Sequence, residues 1–289
     1  MKAKHWFIFI LLGAIWSSSF LWIKIAVAEI GPMTLVAFRV LFGLLFAGGA
    51  VFIQRVEWPR DRKTWTAFII IGITSVAVPF FLISWGEQAI DSAVASILNA
   101  TVPLFTIVIA HLYLHDDKMT AQKVIGLLIG FAGVVILLSE DMHVSQGSLL
   151  GQGAVILASL FYAGSAVYAR RTTAHAPGLV RGAAPLVSAT ALMWLAAPIA
   201  ESPFEIPHQP ITWVALLWLG VLGSGLALIL NYYLLHEIGP TRSTMVTYVF
   251  PLGGVVLGVL FLNEHLSWQL LAGAVLIISS LVVVNWKKQ

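Results

Sequence analysis

The sequence predicts an all-α integral membrane protein: ten transmembrane helices arranged as two inverted five-helix repeats, with both termini cytoplasmic. Three observations predict it. Hydrophobic residues make up 59% of the chain and charged residues only 10%, where a soluble domain carries about 25% charged. Ten apolar stretches, each near the roughly 20 residues that cross a bilayer core, use up nearly all 289 residues. The basic residues outside those stretches fall only in alternate polar segments.

The stretches lie at about 6–26, 33–53, 66–86, 92–114, 121–139, 148–169, 178–199, 212–235, 241–262 and 268–286. Of the eleven ends and connectors, the odd-numbered ones hold Lys2 and Lys4; Arg55, Arg60, Arg62 and Lys63; Lys118 and Lys123; Arg170, Arg171 and Arg181; Arg242; and Lys287 and Lys288. The even-numbered ones hold no base and carry Glu29, Glu87, Asp91, Glu140, Asp141, Glu201, Glu205 and Glu264. Basic loops resist translocation and stay cytoplasmic, which places both ends of the chain inside. The high pI follows from this asymmetry. Nucleic-acid binding is not expected, because the basic loops are too short and dispersed.

The first stretch ends in Ala26-Val27-Ala28, a triplet that could mark a signal-peptidase site. The preceding apolar run exceeds the roughly 7–15 residues of a signal peptide, so a retained helix is expected. Lys24 stands one or two residues from the outer end of this helix, where snorkelling to the surface is easy. The second stretch carries Arg39 seven residues from its outer end, about 10 Å deep at 1.5 Å per residue. A charge at that depth faces a bundle interior or a wet cavity. Two readings fit it: a guanidinium fork for a substrate carboxylate, or an architectural arginine bonding helix carbonyls or snorkelling.

A shift of 148 residues lays the middle of the chain on its later part. Gly72 meets Gly220, Leu82 meets Leu230, Pro103-Leu104 meets Pro251-Leu252, and Asp116 meets Glu264. A five-helix unit has an odd number of crossings, so its second copy enters the membrane from the opposite side. Expected units are residues 1–142 and 143–289. Inverted repeats of this kind recur in carriers whose substrate site lies at the midplane between the halves.

Along the fourth stretch Ser92, Ser96, Asn99, Pro103 and Thr106 share one face. The ninth carries Thr244, Thr247, Pro251, Gly254 and Gly258. Such a stripe suits either a seam of closely approaching helices or a cavity wall, and Asn99 is the favoured solute contact. Trp16 and Ser19 in the first stretch, Tyr162 and Ser165 in the sixth, and Asn231 and Tyr232 in the eighth add polar and aromatic groups. Trp85 and Tyr168 read as interfacial belt residues, whereas Trp16 and Tyr162 lie mid-helix. The candidate substrate-binding set is therefore Trp16, Ser19, Arg39, Asn99, Tyr162, Ser165, Asn231, Tyr232 and Thr247.

Trp16-Ser17-Ser18-Ser19-Phe20, Lys24, Gly31-Pro32 and Arg39 resemble the opening of the EamA family within the drug/metabolite transporter superfamily. Pro103-Leu104 through Asp116 and Pro251-Leu252 through Glu264 are similar to the ends of its two repeats. The likeness covers essentially the whole chain. It implies ten helices in two inverted units and the transport of small organic metabolites, often export. Described members include exporters of amino acids, aromatic ones among them. The second unit departs from the pattern, reading Phe161-Tyr162-Ala163 where a Trp-Gly or Trp-Ser signature is expected.

The expected function is secondary transport of amino acids, aromatic or apolar, by export or facilitated diffusion and alternating access. Another metabolite, vitamin, nucleoside or drug is the alternative cargo. No Walker-type glycine loop is present, so ATP is not the direct driver. Every Asp and Glu can be placed in a connector, which favours facilitated diffusion over proton antiport. A channel is disfavoured by the repeat. An enzyme is disfavoured by the absence of cysteine, of an intramembrane carboxylate and of H-E-x-x-H. His111 and His115 beside Asp116 could hold a metal, but solvated histidines are the expected reading; no metal and no cofactor are expected. Partners are a small-molecule solute and the lipid bilayer, and the expected state is a monomer, with a dimer as the alternative.

Overall fold

The computed structural model describes residues 3–114, 119–139, 146–202 and 204–285. Among these, every regular element is helical. In chain order come α1 (Ala3–Val27), α2 (Pro32–Ile53), α3 (Arg62–Ile71) continuing through a π-helical segment (Gly72–Ala77) into α4 (Val78–Gly86), α5 (Ser92–Asn99), α6 (Val102–Tyr113) and α7 (Ala121–Ser139). There follow α8 (Gln146–Thr172), α9 (Gly178–Ala200), α10 (Pro210–Leu217), a second π-helical segment (Trp218–Leu226), α11 (Ala227–Thr244), a 3-10 turn (Met245–Val249), α12 (Phe250–Leu262) and α13 (Trp268–Asn285).

Seven helical runs are long and apolar enough to cross a membrane, and Ala121–Ile136 and Trp268–Ser280 are shorter apolar helices. One of the seven, Pro210–Leu262, turns sharply inside α11 at Gly239. Its φ of 80° is easily reached only without a Cβ, and Pro240 follows. The outer surface is apolar: Phe52 is 84% exposed and Ile199 82%. In water such a surface would aggregate; in lipid it is solvated.

Proline explains the other irregularities. Pro103 has no N–H to offer Asn99, so the run Ser92–Tyr113 tightens at Ala100 and Thr101, where Thr101 N donates to Leu98 O and Leu104 N to Thr101 O. The 3-10 turn 245–249 precedes Pro251 in the same way.

Several contacts recur at the 148-residue interval. Trp65 Nε1 donates to Pro59 O at 2.8 Å, and Trp213 Nε1 to Pro207 O at 3.0 Å. The π-helical segments overlap under the same shift, and each contains the glycine of the Gly72/Gly220 pair. A methyl group on Gly72 would overlap Pro185 O and Ser188, and one on Gly220 would overlap Phe42 and crowd Arg39 O. Each π-helical segment is thus pressed against a long helix far away in the chain, α9 or α2. Elsewhere α5 packs on α12, α4 on α8, and α7 on α13.

Acidic residues between the helices bond helix starts far away in the chain. Glu201 accepts from Met33 N, Thr34 N and Thr34 Oγ1 at 2.7–2.8 Å, capping α2. Glu264 accepts from Ser92 N and Ala93 N, capping α5. Glu29 accepts from His208 N and Gln209 N, just before α10. Carboxylates satisfy free amides at helix starts and oppose the positive end of the helix dipole.

Three placements correct the sequence reading. Lys24 does not reach outward: Nζ donates to Glu87 O at 2.7 Å and Ile90 O at 2.8 Å. Those carbonyls belong to the turn between α4 and α5, where no helical amide serves them. Arg181 is not a connector residue but lies in the first turn of α9, 1% exposed. Glu87 does follow α4 as its C-cap, but it is fully buried rather than solvated.

Candidate functional site

A cavity lies among α1, α2, the first π-helical segment, α4, α5, α6, α8, α11, the 3-10 turn and α12. All nine sequence-predicted residues, from Trp16 on α1 to Thr247 in the 3-10 turn, lie on its wall. The cavity is partly open, and its inner space is about 90 Å³, below the roughly 300–1,000 Å³ of sites for drug-sized ligands.

The polar groups are set by helix irregularities. A π-helical turn leaves carbonyls out of the regular ladder, and such turns recur at functional sites. In the second π-helical segment Gly223 O accepts Trp16 Nε1 at 2.9 Å, and Ser224 Oγ accepts Arg39 Nε at 3.0 Å while donating to Leu219 O. In the first, Thr74 Oγ1 lies 2.5 Å from Ser165 Oγ. Side chains from distant helices thus bond the backbone and the side chains of the π-helical segments.

Arg39 is 3% exposed, with its guanidinium 3.7 Å from the centroid of the Phe80 ring. Among the described residues its hydrogen bond to Ser224 is the only one, so both Nη groups keep their donors. That bond goes to a hydroxyl in the second π-helical segment, not to a helix carbonyl. Asn99 Oδ1 accepts from Ser159 Oγ at 3.3 Å, and Thr247 Oγ1 donates to Thr244 O. Trp16 meets Phe250 edge-on at 6.1 Å.

The polar stripe divides between its two candidate roles. Ser92 and Ser96 face the seam with α12, where a methyl on Gly254 would overlap Ser96 and one on Gly258 would crowd Ser92. Asn99, one turn further, lines the cavity. Trp85 lies exposed on the outer surface, and Tyr168 is half-buried beside Asp61, Lys63 and His175. His111 Nδ1 accepts from Met119 N at 2.9 Å; His115 and Asp116 lie outside the described residues.

Sequence reasoning missed Ser75 and Phe80 on the wall, the role of Ser224, and the burial of Glu87, and left Thr244 undecided between seam and wall. Both Glu87 carboxyl oxygens are buried without a hydrogen-bond partner. One signal pointed there: Lys24 and Glu87, of opposite charge, end apolar stretches on the same side of the membrane.

Long apolar helices enclosing a small, partly polar, aromatic-lined cavity define a membrane protein that handles a solute within the bilayer. The EamA-like transporter family model matches residues 4–139 and again residues 149–286, and the chain belongs to that family. It is similar to the uncharacterized transporter YoaV of Bacillus subtilis, 25% identical over 91% of this chain and 90% of that protein. It is 27% identical to the uncharacterized inner membrane transporter YedA of Escherichia coli K12, over 89% and 82%. An uncharacterized transporter of Archaeoglobus fulgidus is 22% identical over 99% of this chain and the whole of that one. A crystal structure superposes with a TM-score of 0.74 at 21% identity, over 99% of this chain and 98% of the other, and shares the fold.

Proposed function

We propose that this membrane transporter is a secondary carrier that moves a small, carboxylate-bearing, aromatic or apolar metabolite by alternating access, an amino acid being the sequence-derived expectation. The observation that carries this reading is Arg39: a buried guanidinium with unspent donors on the wall of a cavity shared by both units. Trp16, Phe80, Tyr162 and Phe250 supply apolar surface around it, and Asn99, Asn231, Ser165 and Thr247 supply neutral donors and acceptors. Exporter or facilitator, the chain would act as a cell-membrane protein.

Ten passages are obtained by counting the two arms of the kinked run separately and adding the two shorter helices. With the recurring contacts, this supports units 1–142 and 143–289 in opposite orientation, and the charge alternation supports cytoplasmic termini. Rocking about the capped helix ends would open the cavity to one side at a time.

Glu87 favours a second reading, proton-coupled antiport. A carboxylate buried without hydrogen bonds is costly when ionised, and the sequence-level preference for facilitated diffusion rested on its being in a connector. The two readings part in proteoliposomes. Trans-stimulated counterflow without a pH gradient supports facilitation, and accumulation that requires the gradient and is lost in Glu87→Gln supports antiport. Arg39→Ala should abolish either. A channel, which shows no trans-stimulation, is the outcome that sinks the carrier reading.

A further inference from the structure

Resting on the carrier reading of this cavity, we infer that its solute is a net anion, a carboxylate without a compensating ammonium group, and that Arg181 is a second residue setting that preference. A zwitterionic amino acid needs a counter-charge at each end. Arg39 supplies one, but none of the described residues lining the cavity is an aspartate or glutamate. Glu87 is near enough to feel the Arg39 charge, yet it is not on the wall and forms no ion pair with Arg39 among the described residues.

Arg181 adds a second positive charge beside the same space. Its guanidinium lies 5.4 Å from the centroid of the Tyr232 ring, and Tyr232 is a wall residue. Arg181 is 1% exposed, and its Nε is buried with no hydrogen-bond partner. Among the described residues no carboxylate pairs with it. Arg39 on α2 against Phe80, and Arg181 on α9 against Tyr232, form one buried arginine–aromatic pair in each unit. Buried cations are ordinarily paired, and among the described residues neither arginine forms an ion pair. A guanidinium held over a ring face can still offer its N–H edge to a bidentate carboxylate, so a solute anion would complete the set that neither arginine completes with a salt bridge among the described residues. An added ammonium would meet two like charges and only neutral acceptors.

Three probes sharing a phenyl ring test the inference: 3-phenylpropanoate, L-phenylalanine and 2-phenylethylammonium, an anion, a zwitterion and a cation. Binding to the full chain in detergent would be read by thermal stabilisation and by tryptophan fluorescence, to which Trp16 in the cavity contributes. Roughly tenfold tighter binding of the anion than of the zwitterion, equivalent to about 1.4 kcal/mol, with the cation weakest, is expected. Arg181→Gln should bring the anion-to-zwitterion ratio toward one, and Arg181→Lys should preserve it. Equal or tighter binding of L-phenylalanine overturns the anion inference while leaving the carrier standing. An unchanged ratio in a folded Arg181→Gln protein removes Arg181 from it. Binding of none of the three, with trans-stimulated counterflow of an uncharged solute, overturns both the anion inference and the carboxylate reading, and the carrier survives.

Discussion

Arg39 Nε and Ser224 Oγ meet at 3.0 Å although 185 residues separate them in the chain. The bond joins α2 of the first family match to the irregular second π-helical segment of the other, at the wall of the cavity. Ser224 Oγ also donates to Leu219 O, so the serine passes the irregular backbone's geometry on to the guanidinium. Ser224→Ala should leave Arg39 charged but less well aimed. A hydrogen bond to a charged group contributes about 1.5–3 kcal/mol, so solute affinity should weaken by roughly tenfold or more in a binding titration. An unchanged affinity would show that the serine does not orient the arginine.

The cap formed by Glu264 on α5 is expected to hold the two units together. Glu264→Ala removes the acceptor for Ser92 N and Ala93 N and should cost about 0.5–2 kcal/mol, the range for lost helix caps. Glu264→Gln, which keeps one acceptor oxygen, should cost less. Thermal unfolding in detergent measures both.

Close approach at Gly220 makes a sharper prediction. In Gly220→Ala the new Cβ would overlap Phe42 Cβ, and overpacking of this kind costs about 1–3 kcal/mol. A methyl group on Gly49, in α2, would meet nothing within 4 Å. Gly49→Ala should hold or raise the melting temperature, since alanine is favoured over glycine in a helix by about 1 kcal/mol.

Two carboxylates outside the membrane spans predict an acid-side loss of stability. The Thr64 amide holds the Asp61 carboxyl below its ordinary value of 3.8. The Thr212 hydroxyl, with the Gln209 and His208 amides, holds Glu29 below 4.5 against the opposing effect of desolvation. Lowered folded-state values favour the folded protein at pH above the ordinary ones, and the benefit disappears as pH falls through the lowered values. Asp61→Asn with Glu29→Gln should flatten the stability profile below about pH 4.5. A profile identical to the parent's would show that these contacts contribute nothing to folding.

The orientation in the membrane is testable because the chain has no cysteine. Lys63→Cys and Glu205→Cys place single thiols at exposed positions in an odd and an even connector. In intact cells an impermeant maleimide should label the second and spare the first. The opposite pattern would invert the proposed topology.

Much of the fold was legible in the sequence because a bilayer imposes a length and a polarity on each crossing helix. The stretches at 33–53 and 121–139 coincide in range with α2 and α7, and the Gly72/Gly220 pair marked the two π-helical segments without announcing their geometry. The candidate residues were legible for a related reason: a polar or aromatic group in mid-membrane has few places to go other than an interior cavity. Lys24, Arg181 and Glu87 were misplaced because proximity to a helix end says how far a side chain stands from the surface, not which carbonyls or rings lie nearer than water.

By itself the sequence determined the helix spans, the 148-residue repeat and the polar mid-membrane positions, all consequences of hydrophobic length and of the cost of buried charge. Only the tertiary structure decided which of those positions meet. Contacts such as Arg39 with Ser224 and Glu264 with the start of α5 depend on how α2, α5, the second π-helical segment and α12 pack. That packing is set by glycines, prolines and orphaned backbone groups from distant parts of the chain, which no local window of sequence brings together.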